Sequence, residues 1–343
     1  MKKLLTTAVS LALFWTTSTI QTEAKSLSNS SSDSSETTIS SHQRPDTLRQ
    51  KPKNRPIIGL ALGGGGSRGA AHVGVLKVFE EERIPIDLIA GTSIGSVVGG
   101  FYASEMPMEK LNKLFEQNTF TKEFAPVPIL RLLIEPAELM LRLVGYRPYN
   151  GLYHGWKLKK FVRKETNNKR IEDLRIPFAA IVTDVVSGKS HRITQGDLGV
   201  ALTASTAVPV LRKPVQIGDR LYCDGGVINN LPVDHAKEMG ADFVIAVDID
   251  EHLKERPLKD FRALGSMGKQ AIRIQLARFD EPSGKSADFY IHPNTTDISL
   301  VSFKKKDGKR GIEAGIKSAR EAMPELKRKL AELGLNLEGS KNN

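Results

Sequence analysis

Residues 57–95 read IIGLALGGGGSRGAAHVGVLKVFEEERIPIDLIAGTSIG. Ile57 to Leu62 is a short apolar run suited to a buried strand, and it meets Gly63-Gly64-Gly65-Gly66-Ser67-Arg68-Gly69. Beyond the glycines, Ala71, Val75, Val78 and Phe79 fall at i, i+4, i+7 and i+8, one apolar face of a helix. After a turn at Pro85, Ile86 to Ala90 reads as a second buried strand that ends at Gly91. Strand, glycine loop, helix, strand is a βαβ unit.

Outward from this unit, Phe178 to Val182, Arg220 to Cys223, Phe243 to Ile249 and Asp288 to Ile291 read as strands. Helical stretches fall near Leu198 to Thr206 and Pro232 to Met239, and Ile312 to Leu333 reads as a charged amphipathic helix closing the domain. The alternation predicts an α/β fold of three layers, a mainly parallel central sheet with helices on both faces. Residues 56–335 are expected to form this domain. Before it, residues 25–55 are rich in Ser, Thr and Asp, then in Lys, Pro and Arg, and read as a disordered linker. Residues 336–343 read as a flexible tail.

At the N-terminus, Lys2 and Lys3 precede the apolar run Leu4 to Trp15, followed by polar residues and the small-residue neighbourhood of Ala24. Residues 1–24 are read as a signal peptide, since the run falls short of the ~20 apolar residues that span a bilayer. This implies export to a periplasmic or secreted location. Cys223 is the single cysteine, which rules out an intramolecular disulfide. A net charge of +11 favours polyanions, and with a signal peptide the expected partner is an anionic membrane surface rather than nucleic acid.

Gly91-Thr92-Ser93-Ile94-Gly95 has the G-x-S-x-G pattern of a nucleophile turn, entered from an apolar strand and left through the small-residue helix start Ser96 to Phe101. Flanking glycines let such a turn bend without Cβ clashes and push the hydroxyl out at the end of the sheet. An ordinary close helix–sheet crossing uses the same residues. The glycine loop has three readings. A P-loop needs a lysine and a Ser or Thr after its last glycine, and Ala70 and Ala71 stand there instead. A dinucleotide fingerprint is formally present at Gly64, Gly66 and Gly69, but Asp87, its acidic partner by spacing, lies at the start of the strand that feeds the serine turn. The third reading is an oxyanion hole built from backbone N–H groups around Gly64, Gly65 and Gly66. Arg68 then either orients the loop or attracts a phosphate head group, and is assigned to substrate binding.

A serine hydroxyl needs a base, ordinarily a histidine held by a carboxylate. His42 falls in the linker, and none of His72, His154, His191, His235, His252 and His292 sits in a motif that marks it as a base. Asp224, after Arg220-Leu221-Tyr222-Cys223 and before Gly225-Gly226-Val227-Ile228-Asn229-Asn230, can reach over a site unobstructed, although Asp184, Asp248 and Asp250 also lie near strand ends.

With these blocks assembled, the chain resembles the patatin-like phospholipases, in particular the bacterial group similar to the catalytic domain of neuropathy target esterase. Gly64-Gly65-Gly66-Ser67-Arg68-Gly69 resembles the family's oxyanion loop and Gly91-Thr92-Ser93-Ile94-Gly95 its elbow. Ala204-Ser205-Thr206-Ala207-Val208-Pro209 resembles the segment near its site, and Asp224-Gly225-Gly226 its aspartate motif. The resemblance implies a Ser93–Asp224 dyad without histidine, metal or cofactor, acting on phospholipid or lysophospholipid esters through an acyl-enzyme. Between Phe115 and Tyr149 apolar residues alternate with Arg131, Arg142 and Arg147, a composition that suits an acyl-chain wall, a lipid-facing surface or a helical insert packed on the core.

Overall fold

The computed structural model describes residues 55–335, apart from residues 118, 121–154, 210, 252, 254 and 263–265. The leader, the linker up to residue 54, nearly all of the apolar insert, the tail, and His42, His154 and His252 lie outside the described residues.

The opening unit forms as the pattern requires. Strand β1 (Ile58–Leu62) is buried along its length, helix α1 (Ala70–Glu81) buries Ala71, Val75, Val78 and Phe79, and strand β2 (Leu88–Thr92) pairs with β1 in parallel. One boundary differs from the sequence reading. Gly91 and Thr92 belong to β2, because they pair with Ala180 and Ile181 of strand β3 (Phe178–Asp184), so the turn begins at Ser93 itself.

Helix α2 (Ile94–Ala103) follows the turn, then α3 (Met108–Glu116) and, after the undescribed residues, α4 (Trp156–Glu165). Strand β7 (Phe243–Val247) lies parallel to β1 on its other side, and β8 (Phe289–Ile291) extends the sheet beyond it. The parallel part thus runs β3-β2-β1-β7-β8. Two strands run against it, β4 (Lys189–Ile193) and β6 (Arg220–Asp224), both paired with β3, while β5 (Val215–Ile217) pairs antiparallel with β6 at the sheet edge. The sequence reading missed β4 and β5, whose side chains are only partly buried and carry no apolar run.

Alternation along the strands builds two cores. Leu60, Leu62, Ile89, Phe178, Ile245 and Val247 face one side, under α1, α2 and the C-terminal helix α8 (Lys305–Glu332), which begins seven residues before Ile312. Ala61, Ala90, Ala179 and Ala246 face the other, under α6 (Val233–Glu238), which buries Val233 and Ala236 on those small residues. Helix α5 (Leu198–Ser205) packs beside α2, and α7 (Ser266–Ser286) precedes β8. Strand order departs in both directions from β1, so the switch point where α/β sheets place their sites lies at the C-terminal ends of β1 and β7, beside the end of β2 that leads into Ser93.

Candidate active site

At Ser93 the backbone leaves the extended region for φ 51°, ψ −120°. A non-glycine residue keeps a positive φ only where its surroundings over-determine it. Here the Ser93 N–H donates to Ser205 Oγ at 2.9 Å, Ser205 Oγ donates to the Ile181 carbonyl at 2.7 Å, and Ser96 Oγ donates to the Ser93 carbonyl at 2.6 Å. Glycine at position 95 is obligatory, since a Cβ there would lie 2.2 Å from the Leu62 carbonyl oxygen.

Strand β3 brings the second residue into place. Its residues 180–184 pair with β4 along one edge, so β2 at Ile181 and β6 from Val182 onward must share the other edge in succession. Running in opposite directions, β2 ends at Thr92 and β6 at Asp224, and their ends meet. Ser93 Oγ donates to Asp224 Oδ2 at 2.7 Å, and the Gly226 N–H donates to Asp224 Oδ1 at 2.8 Å. The segment Ala204–Pro209 clamps both halves, because the Ala207 carbonyl accepts the Asp224 N–H at 3.0 Å while Ser205 holds Ser93. Asp224 is 5% exposed, and burial pushes its carboxyl up to about 6 against the Ser93 and Gly226 hydrogen bonds and the charge of Arg212.

The glycine loop bends through φ 154° at Gly65 and 59° at Gly66. Gly64 passes so close to Ser93 that a Cβ on it would lie 3.3 Å from the serine Cβ. Its N–H is committed, donating to the Asn230 carbonyl at 3.1 Å, while Ser67 N–H donates to Leu300 O and Arg68 N–H to Gly65 O. Of the three expected oxyanion donors, the N–H groups left without a partner among the described residues are therefore those of Gly65 and Gly66. Gly66, Ser93, Ile94, Phe120, Thr206, Leu300 and Val301 line one opening.

A family model described as patatin-like phospholipase matches residues 60–237, just over half of the chain. The chain belongs to the patatin-like phospholipase family. It is 34% identical over 196 residues to the mouse patatin-like phospholipase domain-containing protein 6, a match covering 56% of this chain and 13% of that one. An uncharacterized NTE family protein of Mycobacterium tuberculosis is 35% identical over 206 residues, 60% of this chain and 52% of that one. A lysophospholipase of Mycosarcoma maydis is 37% identical over 194 residues, 56% and 10%. The match thus spans about half the length of the mycobacterial relative and a small part of the other two. Among solved structures, VipD from Legionella pneumophila aligns at 14% identity and a TM-score of 0.47, covering 79% of this chain and 67% of that one. Human GIVD cytosolic phospholipase A2 aligns at 12% and 0.43, covering 81% and 59%.

In this patatin-like chain the glycine loop is held from behind. Arg68, expected to meet substrate, is 2% exposed, and its guanidinium donates to Ile298 O at 2.9 Å, Asp250 Oδ1 at 2.9 Å and Glu251 Oε2 at 3.0 Å. Of the two roles open to it, orienting the loop fits this placement, and a phosphate would find almost no surface of Arg68 to meet. Asn230, quoted after the Asp-Gly-Gly turn but given no role, links the two halves of the site. Its carbonyl holds Gly64, and its carboxamide donates to Asp280 Oδ2 at 2.8 Å and Asp250 Oδ2 at 3.3 Å. Asp280, on α7, carried no sequence signal. Burial and the neighbouring carboxylates push its carboxyl up to about 8, and burial pushes Asp250 up to about 7.

The described histidines are engaged elsewhere. His72 is fully buried with Nε2 2.8 Å from the Gly63 carbonyl, and burial lowers it to about 4. His235 pairs with Ser190 Oγ, His292 with the Asp250 carbonyl, and His191 stacks on Tyr222. The other candidate carboxylates are also occupied. Asp184 accepts from Ser187 and Val186, and Asp248 from Tyr290 and the Asp250 N–H. Among the described residues, no cluster of three or more His, Cys, Asp or Glu side chains could hold a metal ion.

Proposed function

We propose that the protein is a serine acyl hydrolase that cleaves carboxylic esters of phospholipids or lysophospholipids. The observation that carries this reading is the 2.7 Å hydrogen bond from Ser93 Oγ to a buried Asp224. An ordinary aspartate, with a pKa of ~3.9, is a weak base for a hydroxyl. Burial strengthens it, pushing the Asp224 carboxyl up to about 6.

In the first half-reaction Ser93 Oγ attacks the ester carbonyl as its proton passes to Asp224. The oxyanion of the tetrahedral intermediate is met by the N–H groups of Gly65 and Gly66. Collapse breaks the ester C–O bond, and Asp224 returns the proton to the departing alcohol. Water then attacks the acyl-enzyme, giving its proton to Asp224. The fatty acid leaves, and Ser93 recovers its proton from Asp224. No step draws on a metal or cofactor.

The lipid substrate is supported by family membership and by similarity to a lysophospholipase of Mycosarcoma maydis. We also propose that residues 1–24 direct export, which mass analysis of the mature N-terminus tests. A Ser-His-Asp mechanism has less support, since the hydroxyl bonded to Asp224 has no histidine partner among the described residues. The reading as a whole is tested by mass spectrometry of products from a panel of phospholipids and lysophospholipids. Free fatty acid should appear with the parent protein alone, and equal product from Ser93→Ala would refute the assignment.

A further inference from the structure

Leu300 and Val301 line the opening at Ser93, and the segment they begin is bolted to the glycine loop. The Leu300 carbonyl accepts the Ser67 N–H at 2.8 Å, and the Ser302 N–H donates to Ser67 Oγ at 2.8 Å. A Cβ on Gly66 would lie 2.1 Å from the Leu300 oxygen, so the two segments run in direct contact. With Ser302 turned inward and buried, Val301 and Phe303 turn outward, at 48% and 55% exposure. Val301 also lines the opening that contains Ser93.

Immediately after this apolar pair come Lys304, Lys305 and Lys306, and one turn later Lys309, all exposed. Lys304, just before α8, and Lys305 and Lys306 in its first turn stand at the positive end of its macrodipole, where cations oppose helix stability and anions support it, while Lys309 pairs with Glu116 at 3.4 Å. Only Asp307, buried and accepting from Ser302 Oγ at 2.6 Å, follows the helix rule there. A run of lysines at the unfavourable end of a helix, beside two exposed apolar side chains at a site mouth, breaks two local rules at once. Such violations mark function.

We propose that Val301, Phe303 and the lysines of the first turn of α8 form a lip that docks the protein on an anionic lipid surface, with the opening at Ser93 facing the bilayer. The proposal rests on the lipid-ester reading and deepens it by placing the face that meets the substrate's membrane. Charge complementarity and apolar tips that enter the interface select this occupant. A second copy of this strongly basic chain would bring lysines against lysines.

The test uses full-length Ser93→Ala protein, which leaves vesicles intact, sedimented with vesicles of phosphatidylcholine alone or with added phosphatidylglycerol. Binding should require the anionic lipid and weaken with salt. Each lysine near such a surface is worth about 5-fold in partitioning. Lys305→Glu combined with Lys306→Glu should therefore cost at least about 25-fold. Phe303→Ser, at an exposed position that folding does not need, should cost about 10-fold. In the Ser93 background, neither change should alter turnover of the water-soluble ester 4-nitrophenyl butyrate. Vesicle binding unchanged in both variants would overturn the lip, including the case where the variants alter self-association instead. Failure of the parent protein to hydrolyse any ester would refute the catalytic reading while leaving the binding comparison to judge the lip.

Discussion

Thr92 and Asp224 face consecutive residues along one edge of a single strand, Thr92 opposite Ile181 and Asp224 opposite Val182. Two strands arriving head to head on that edge are what bring the Ser93 hydroxyl to the carboxylate. The contact depends on the sheet rather than on a mobile loop, so it is pre-organised before substrate arrives. Gly225 makes the approach possible, since a Cβ there would sit 2.5 Å from the Ile181 carbonyl oxygen.

Asp224→Asn keeps the shape of this contact and removes the base. Turnover should fall about 10³-fold, within the range for loss of a general base. In the parent protein kcat/KM should rise with pH and level off above about pH 6, because the carboxyl must be ionised to accept the proton. A pH–rate profile on a soluble ester checks this, and a profile flat down to pH 4 would contradict it.

Stability should change with pH in the opposite direction to activity. Asp224, Asp250 and Asp280 are all raised in the folded protein, to about 6, 7 and 8. The folded state therefore keeps protons that the unfolded chain releases from about pH 4 upward. Their contribution is fully present below pH 4 and is lost as pH rises through the folded values. Tm measured from pH 5 to 9 should fall on the alkaline side, and Asp280→Asn should flatten that fall.

Arg68→Met distinguishes loop support from head-group binding. Removing this cation leaves Asp250 without its ion pair and Glu251 with Arg273 alone. Breaking a buried pair costs about 3–5 kcal/mol. Here the loss should be smaller at pH 6 than at pH 8, because the carboxyl of Asp250, raised by burial and freed of the Arg68 charge that lowers it, takes up a proton more readily at the lower pH. Calorimetry at both values reads this, and kcat should drop on soluble and lipid esters alike. Intact stability with a raised KM for phospholipid alone would restore the head-group role.

His235→Ala and His292→Ala should retain activity within about threefold. Their ring nitrogens bond Ser190 and the Asp250 carbonyl rather than Ser93, so neither touches the reacting hydroxyl. Initial rates on 4-nitrophenyl butyrate check it, and a loss as large as that of Asp224→Asn would point to a histidine base.

Much of this arrangement was legible in the sequence because the parts that carry it are apolar runs ending in glycine. β1, α1 and β2 follow from the periodicity of residues 57–95, and Ser93 and Asp224 each stand beside glycines that only a close approach requires. What escaped is polar and non-local. Ser205 acts through a hydroxyl 112 residues from Ser93, Asn230 mainly through its backbone carbonyl, and Asp280 sits in a helix where its charge pattern is ordinary. Arg68 looked like a substrate group because a basic residue at a helix start is usually solvated, and its burial depends on Asp250, 182 residues away. Gly64 was grouped with Gly65 and Gly66 because the spacing cannot reveal that Asn230 takes its N–H.

The most direct measurement is fluorophosphonate labelling of the full-length protein, followed by intact mass and peptide mapping. A single adduct on Ser93 is expected, absent in Ser93→Ala and formed far more slowly in Asp224→Asn. No adduct in the parent protein, or the same adduct in Ser93→Ala, would contradict the account.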